Sequence, residues 1–264
     1  MFDLILRNAT LPDGRQGQDI AVQAGRIAAL EPGISAEAGQ VIDAGGLLVS
    51  PPFVDPHFHM DATLSLGLPR MNLSGTLLEG IALWGELRPT LTVDALVERA
   101  VRYCDLAVSK GLLAVRSHVD VSDPKLVTVE AMLEVRRRVA PYLDLQLVAF
   151  PQDGYYRGPG IVEALERALD MGVEIVGGIP HFERTMADGA RSVTALCELA
   201  AEREAREAEP TAASWTEPVA AATQPPATAA PQRGEPSAHD VAQANNPLAN
   251  FTALSFHNYY IPDV

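Results

Sequence analysis

The sequence predicts an α/β fold: a small β unit, then a parallel sheet wound from strand–helix repeats, then a tail of different composition. Three observations carry this. Residues 1–50 hold apolar runs of three to five residues between Gly, Pro and Asp turns, the rhythm of short strands. Residues 51–205 alternate apolar runs with long helical patterns, which implies βαβ units and a parallel sheet. Residues 206–264 carry eight prolines and fourteen alanines in 59 residues, too many prolines for a helix or a central strand.

In the first segment, strands are expected at Leu4–Leu6, Ile20–Val22, Arg26–Leu30, Val41–Asp43 and Leu47–Val49. Turns are expected at Pro12-Asp13-Gly14, Ala24-Gly25 and Gly45-Gly46. In the second, the strands are Pro52–Pro56, Leu112–Val119, Leu143–Phe150 and Val173–Ile179. Helices fit between them. Thr92 suits an N-cap for a helix to about Lys110, ended by Gly111. Others run from Leu126 to about Val139, from Ile161 to Met171 before Gly172, and from Ala187 to about Arg206. The third segment reads as disordered or poorly packed.

Composition narrows the function. The 264 residues include 20 Lys+Arg against 34 Asp+Glu, a net charge of −14, which disfavours binding to phosphate backbones. No run reaches the ~18 apolar residues of a membrane span. The N-terminus shows no signal-peptide pattern. Two cysteines, Cys104 and Cys197, cannot build a disulfide framework or a four-thiolate zinc site, and a cytoplasmic protein is expected. Only Lys110 and Lys125 are lysines, so any lysine-dependent chemistry has two candidates.

The chemistry-bearing residues fall at strand ends. Asp55-Pro56-His57-Phe58-His59-Met60-Asp61 closes the first barrel-type strand. Histidines at i and i+2 of a strand point to one side and can grip one divalent ion. The alternative is a histidine pair on a solvent face, and the position at a strand C-terminus argues against it. The second strand ends with His118 and Asp120, a buried structural pair or a substrate contact. The third ends with Phe150, Pro151 and Gln152; a carboxamide there offers two donors and an acceptor to an amide edge, or simply caps the turn before Gly154. The fourth ends Gly177-Gly178-Ile179-Pro180-His181-Phe182-Glu183, where His181 and Glu183 either face the same mouth or pair with each other.

Four stretches in order resemble the cytosine deaminase branch of the amidohydrolase superfamily. They are Pro51–Asp61 with Asn72–Ile81, Ser117–Asp123, Val148–Gly154 and Gly178–Glu183. The resemblance covers about residues 1–205. It implies the N-terminal half of a (β/α)8 metal-dependent hydrolase barrel, with a small β domain that such proteins build from both chain ends. It further implies one divalent metal, iron or zinc, and hydrolysis of cytosine to uracil and ammonia. His57 and His59 would be metal ligands. Gln152, Leu77, Phe150 and Asp120 would contact a small nitrogen-heterocycle substrate. The alternatives are another cyclic or N-substituted urea-like amide as substrate, or a non-catalytic remnant. Full-length relatives of this shape are expected to assemble as homo-oligomers. A lysine-bridged two-metal centre is not expected, because no lysine lies between Gly177 and Glu183.

The resemblance stops near residue 205. The later strands that would carry further histidine ligands, the proton-shuttling glutamate and a metal-binding aspartate have no counterpart, so no catalytic residue is assigned. His239 and His257 lie in the tail without a matching strand. Residues from about 206 are expected not to be a native continuation, as in a GC-rich gene read out of frame. A chain of four βα units would leave its fourth strand with a bare edge, and it would be inactive or nearly so.

Overall fold

The structure is a computed structural model that describes residues 1–208 and 255–256. It divides into two units, Met1–Pro52 and Phe53–Val264.

The first unit is a four-stranded sheet: β1 (Phe2–Ala9), β2 (Gln18–Gln23), β3 (Arg26–Glu31) and β4 (Ala38–Asp43), in the order β3-β2-β1-β4. β1–β2 and β2–β3 are antiparallel, and β1–β4 is parallel. Ala24 and Gly25 both take positive φ, at 50° and 72°, which lets a two-residue turn join β2 to β3. Buried Ile5, Ala21 and Ile34 form one core cluster. Asp19 is buried as a staple, accepting from the Asn8 amide, the Arg7 guanidinium and the Ile34 amide, each at 3.0 Å. The expected strand Leu47–Val49 is corrected: only an isolated bridge links Leu48 to Thr10. Gly45 and Gly46, at φ 59° and 80°, turn the chain so tightly that just this bridge reaches β1's end.

The second unit holds β5 (Phe53–Phe58), α1 (Leu77–Leu87), α2 (Val93–Val108), β6 (Leu112–Asp120), α3 (Val127–Val139), β7 (Asp144–Phe150), α4 (Ile161–Asp170), β8 (Ile175–Gly178), α5 (Met186–Ala208) and β9 (Ser255–Phe256). The sheet order is β5-β6-β7-β8-β9 with every pair parallel. This is the expected half-barrel sheet. β6 is buried from Ala114 to Asp120, as a parallel strand covered on both faces must be. Val115, Val119, Leu147 and Ala149 of the sheet share one core cluster with Met132 and Val135 of α3, Leu165 of α4 and Leu196 of α5. Thr92 caps α2 as expected, its hydroxyl accepting from the Ala95 amide.

Three points set the structure against the expected elements. Helix α1 has no counterpart in the expected elements. Thr76 caps it by accepting from the Glu79 amide, and Glu79 returns to the Ser74 amide and hydroxyl at 2.6 Å. That Thr-x-x-Glu spacing is a start signal for a helix. Second, the β8 edge is not bare: Gly177 and Gly178 pair with Ser255 and Phe256, which satisfies a short stretch of parallel edge. Third, the described strands of the first unit come from residues 2–43 alone; a contribution from the C-terminal end, like most of the tail reading for 206–264 and both His239 and His257, lies outside the described residues.

Glycine at 177 follows from packing. A Cβ there would sit 2.5 Å from Val148 Cγ1 and 3.1 Å from the Ala149 carbonyl oxygen. Strands β7 and β8 therefore approach closely where the sheet ends at the cavity described next.

Candidate functional site

The register of the parallel strands builds the site. Ser117 pairs with Leu147, His118 with Val148 and Asp120 with Phe150, so the C-terminal ends of β6 and β7 are level. Phe58 of β5 pairs with Ser117, and the Met60 amide donates to the Ser117 hydroxyl at 3.0 Å. That bond fixes the chain where it leaves β5, directly after His59. The result is a cavity of about 230 Å³ at the strand C-termini. His59, Asp61, Asp120, Phe150, Gln152 and Ile179 line one part of it. The other wall is α1, through Leu77, Gly80, Ile81 and Trp84, with Ala62.

Five of the six expected site residues therefore meet at one cavity: His59, Leu77, Asp120, Phe150 and Gln152. His57 is not part of the lining but sits beside it. Its ring lies 5.5 Å from that of His59, centroid to centroid, and stacks on His118 at 3.8 Å. Two imidazoles sharing one ion at ~2.1 Å per Zn–N bond hold their centroids about 5 Å apart, so the His57–His59 spacing suits a shared ion. Burial holds the His57 imidazole below its usual range, against the pull of Asp55, which favours the neutral ligand form. His118 stacks flat on His57, a geometry for packing and not for joint ligation. Among the described residues no group of three or more His, Cys, Asp or Glu side chains is arranged to hold a metal. A tetrahedral ion needs at least three protein ligands. Among the described residues, the His57–His59 spacing is compatible with one shared ion, and no third ligand completes such a site.

Asp120 accepts three hydrogen bonds on its carboxylate. Its Oδ2 accepts from Trp84 Nε1 at 2.7 Å and from Arg88 Nη1 at 2.9 Å, and its Oδ1 from the Ser122 amide at 2.8 Å. Arg88 extends to Asp153 Oδ2 at 2.7 Å, and the Asp153 amide donates to the Ser122 hydroxyl at 3.0 Å. The Asp120 amide in turn donates to Asp61 Oδ2 at 2.8 Å. Asp61 is fully enclosed, and burial pushes its carboxyl up to about 7.

Other expected residues are placed elsewhere. His181 is exposed in the 3₁₀ turn Pro180–Phe182 and does not line the cavity. Glu183 accepts from the Tyr155 and Tyr156 amides, which fixes the loop after Gln152. Lys110 and Lys125 are exposed and away from the cavity lining.

The sequence reading did not assign roles to Asp61, Ile81, Trp84, Arg88 or Asp153. A signal existed for three of these, Ile81, Trp84 and Arg88. Leu77, Ile81, Trp84 and Arg88 recur at steps of four, three and four, one face of a helix.

The Amidohydrolase family profile matches residues 40–208. N-isopropylammelide isopropyl amidohydrolase of Pseudomonas sp. (strain ADP) is 34% identical over 192 residues, which are 69% of this chain and 47% of that protein. Among solved structures, 5-methylcytosine deaminase from Klebsiella pneumoniae liganded with 5-fluorocytosine superposes with a TM-score of 0.72 at 40% identity, over 76% of this chain and 49% of that one. N-isopropylammelide isopropylaminohydrolase from Burkholderia multivorans superposes with a TM-score of 0.64 at 26% identity, over 77% and 51%. The chain spans about half the length of these relatives. No helix among the described residues is long and apolar enough to cross a membrane.

Proposed function

Because this chain belongs to the amidohydrolase family, we propose that it carries the ring-recognition half of a site for hydrolytic deamination of cytosine-type heterocycles. The observation behind this is the convergence of His59, Gln152, Phe150 and Leu77 on one cavity. At about 230 Å³ the cavity is smaller than the ~300–1,000 Å³ of pockets for drug-sized ligands, which suits a single small ring. Phe150 and Leu77 offer apolar faces to such a ring. The Gln152 carboxamide can donate to a ring carbonyl and accept from a ring N–H together, the pattern of a urea-like edge. The 40%-identical 5-methylcytosine deaminase structure, liganded with 5-fluorocytosine, supports a pyrimidine in this role.

Members of the family generally bind a divalent metal, and His57 with His59 is the pair that would contribute to holding it here. With two imidazoles alone, the described part of the chain binds a ring without completing a hydrolytic centre. The Pseudomonas relative supports a second reading, in which the cavity takes an N-substituted triazine-type ring in place of cytosine. Calorimetric titration with cytosine and with N-isopropylammelide decides between them. Saturable cytosine binding that Gln152→Ala weakens by about tenfold, the loss of one to two hydrogen bonds, is the expected result. Preferential binding of N-isopropylammelide would favour the second reading, and binding of neither ring would refute both.

A further inference from the structure

We propose that Arg88 is a positioning residue for ligand recognition, bridging Asp120 and Asp153 so that helix α1 and the Gln152 loop stand at a fixed separation across the cavity. The inference rests on the ring-binding reading above and adds the device that sets the width of that site.

The two walls of the cavity belong to different segments. Leu77, Ile81 and Trp84 come from α1, while Phe150 and Gln152 come from the end of β7. Arg88, the residue after α1, reaches both sides with separate nitrogens: Nη1 on Asp120 and Nη2 on Asp153, 65 residues away in sequence. Trp84, one helical turn earlier, donates to the same Asp120 oxygen. Asp153 adjoins Gln152, whose amide turns back to the Phe150 carbonyl oxygen at 3.0 Å. Arg88 therefore ties the end of α1 directly to the loop that carries Gln152, beside the separate Trp84–Asp120 link.

Arg88 and Asp153 are not in the cavity lining, so neither is placed to touch a ligand. The Asp120 side chain is 2% exposed and that of Arg88 is 19%, so water substitutes poorly for this bond. A planar fork can serve two carboxylates at once, whereas a lysine ammonium is a point charge that cannot hold the same spacing. Without the guanidinium, Asp120 and Asp153 are left as neighbouring like charges, and the end of α1 loses its tie to the loop that carries Gln152.

The test uses the full chain in a Trp215→Phe background, so that emission reports on Trp84. Cytosine is titrated into the parent, Arg88→Met, Arg88→Lys, Asp153→Asn and the Arg88→Met/Asp153→Asn double variant. Arg88→Met and Asp153→Asn are each expected to raise the Kd for cytosine by about 10–100-fold, the range for loss of a residue that orients a binding group. The double variant is expected to be no worse than the poorer single, because both remove the same bridge. Arg88→Lys is expected not to rescue. Unchanged far-ultraviolet circular dichroism in the single variants separates that non-additivity from a general loss of structure. Unchanged affinity in Arg88→Met, or independent losses that add in the double variant, would overturn the proposal. Should Arg88→Met fail to fold, Asp153→Asn with its partly exposed side chain carries the same comparison. Should the parent bind no cytosine, the ring-binding reading fails by itself, and acrylamide quenching of Trp84 still tests the bridge. Quenching is then expected to rise in Arg88→Met and Asp153→Asn, and unchanged quenching in both would overturn it.

Discussion

Asp120→Ala is expected to lower the stability of the second unit by about 3–5 kcal/mol, the cost of removing one partner from a buried ion pair. Three donors would lose their acceptor: Trp84 Nε1, Arg88 Nη1 and the Ser122 amide. The side chain is 2% exposed, so water is poorly placed to replace it. Roughly 10 °C in melting temperature corresponds to that loss for a domain of this size. Thermal melting followed by circular dichroism checks it. Asp120→Asn is expected to cost less, because its carbonyl oxygen keeps one acceptor for the Trp84 and Arg88 donors while the charge is lost. If Asp120→Ala melts with the parent protein, the network does not hold α1 in place.

Phe150→Ala is expected to cost about 3–5 kcal/mol as well, by a different mechanism. Phe150 is 1% exposed, and its ring edge packs on His59 at 5.4 Å and on His118 at 5.2 Å between centroids. Truncation leaves a void at the end of β7, where Gly177 already lets β8 approach closely. It also removes the wall against which His59 is oriented. Urea denaturation should show a lower midpoint at unchanged slope. Phe150→Leu, which keeps most of the volume, should recover over half of the loss. Equal losses in both variants would indicate that the aromatic edge contact with the histidines matters more than the volume.

How much of this was legible in the sequence varied with the kind of signal. The parallel strands β6 and β7 stand out through the apolar runs Leu112–Val115 and Leu147–Phe150, as strands with both faces covered do. His57 and His59 were legible because a strand puts i and i+2 on one side. Gln152 and Phe150 were legible as the end of such a strand. Helix α1 was not expected, although Thr76 and Glu79 carry a capping box, because the loop before it is rich in leucine and its helical period is weakly marked. With α1 missed, Trp84 and Arg88 had no place in the site. Asp120 was legible as a residue at the cavity, but not as the acceptor of three protein donors. That role depends on Arg88 and Ser122 arriving from opposite sides, which no local pattern encodes. Glu183 likewise serves the amides of Tyr155 and Tyr156, 28 and 27 residues earlier, a long-range role that no local pattern encodes.

On the function proposed above, the described residues supply ring recognition and two imidazoles without completing a hydrolytic centre. Ammonia release from cytosine by the 264-residue chain, supplied with zinc or ferrous iron, tests it most directly. No release above the protein-free control is expected, in a preparation where titration shows that cytosine binds. Sustained release that disappears in the His57→Ala/His59→Ala variant would contradict it, and would show that the chain completes its own metal site.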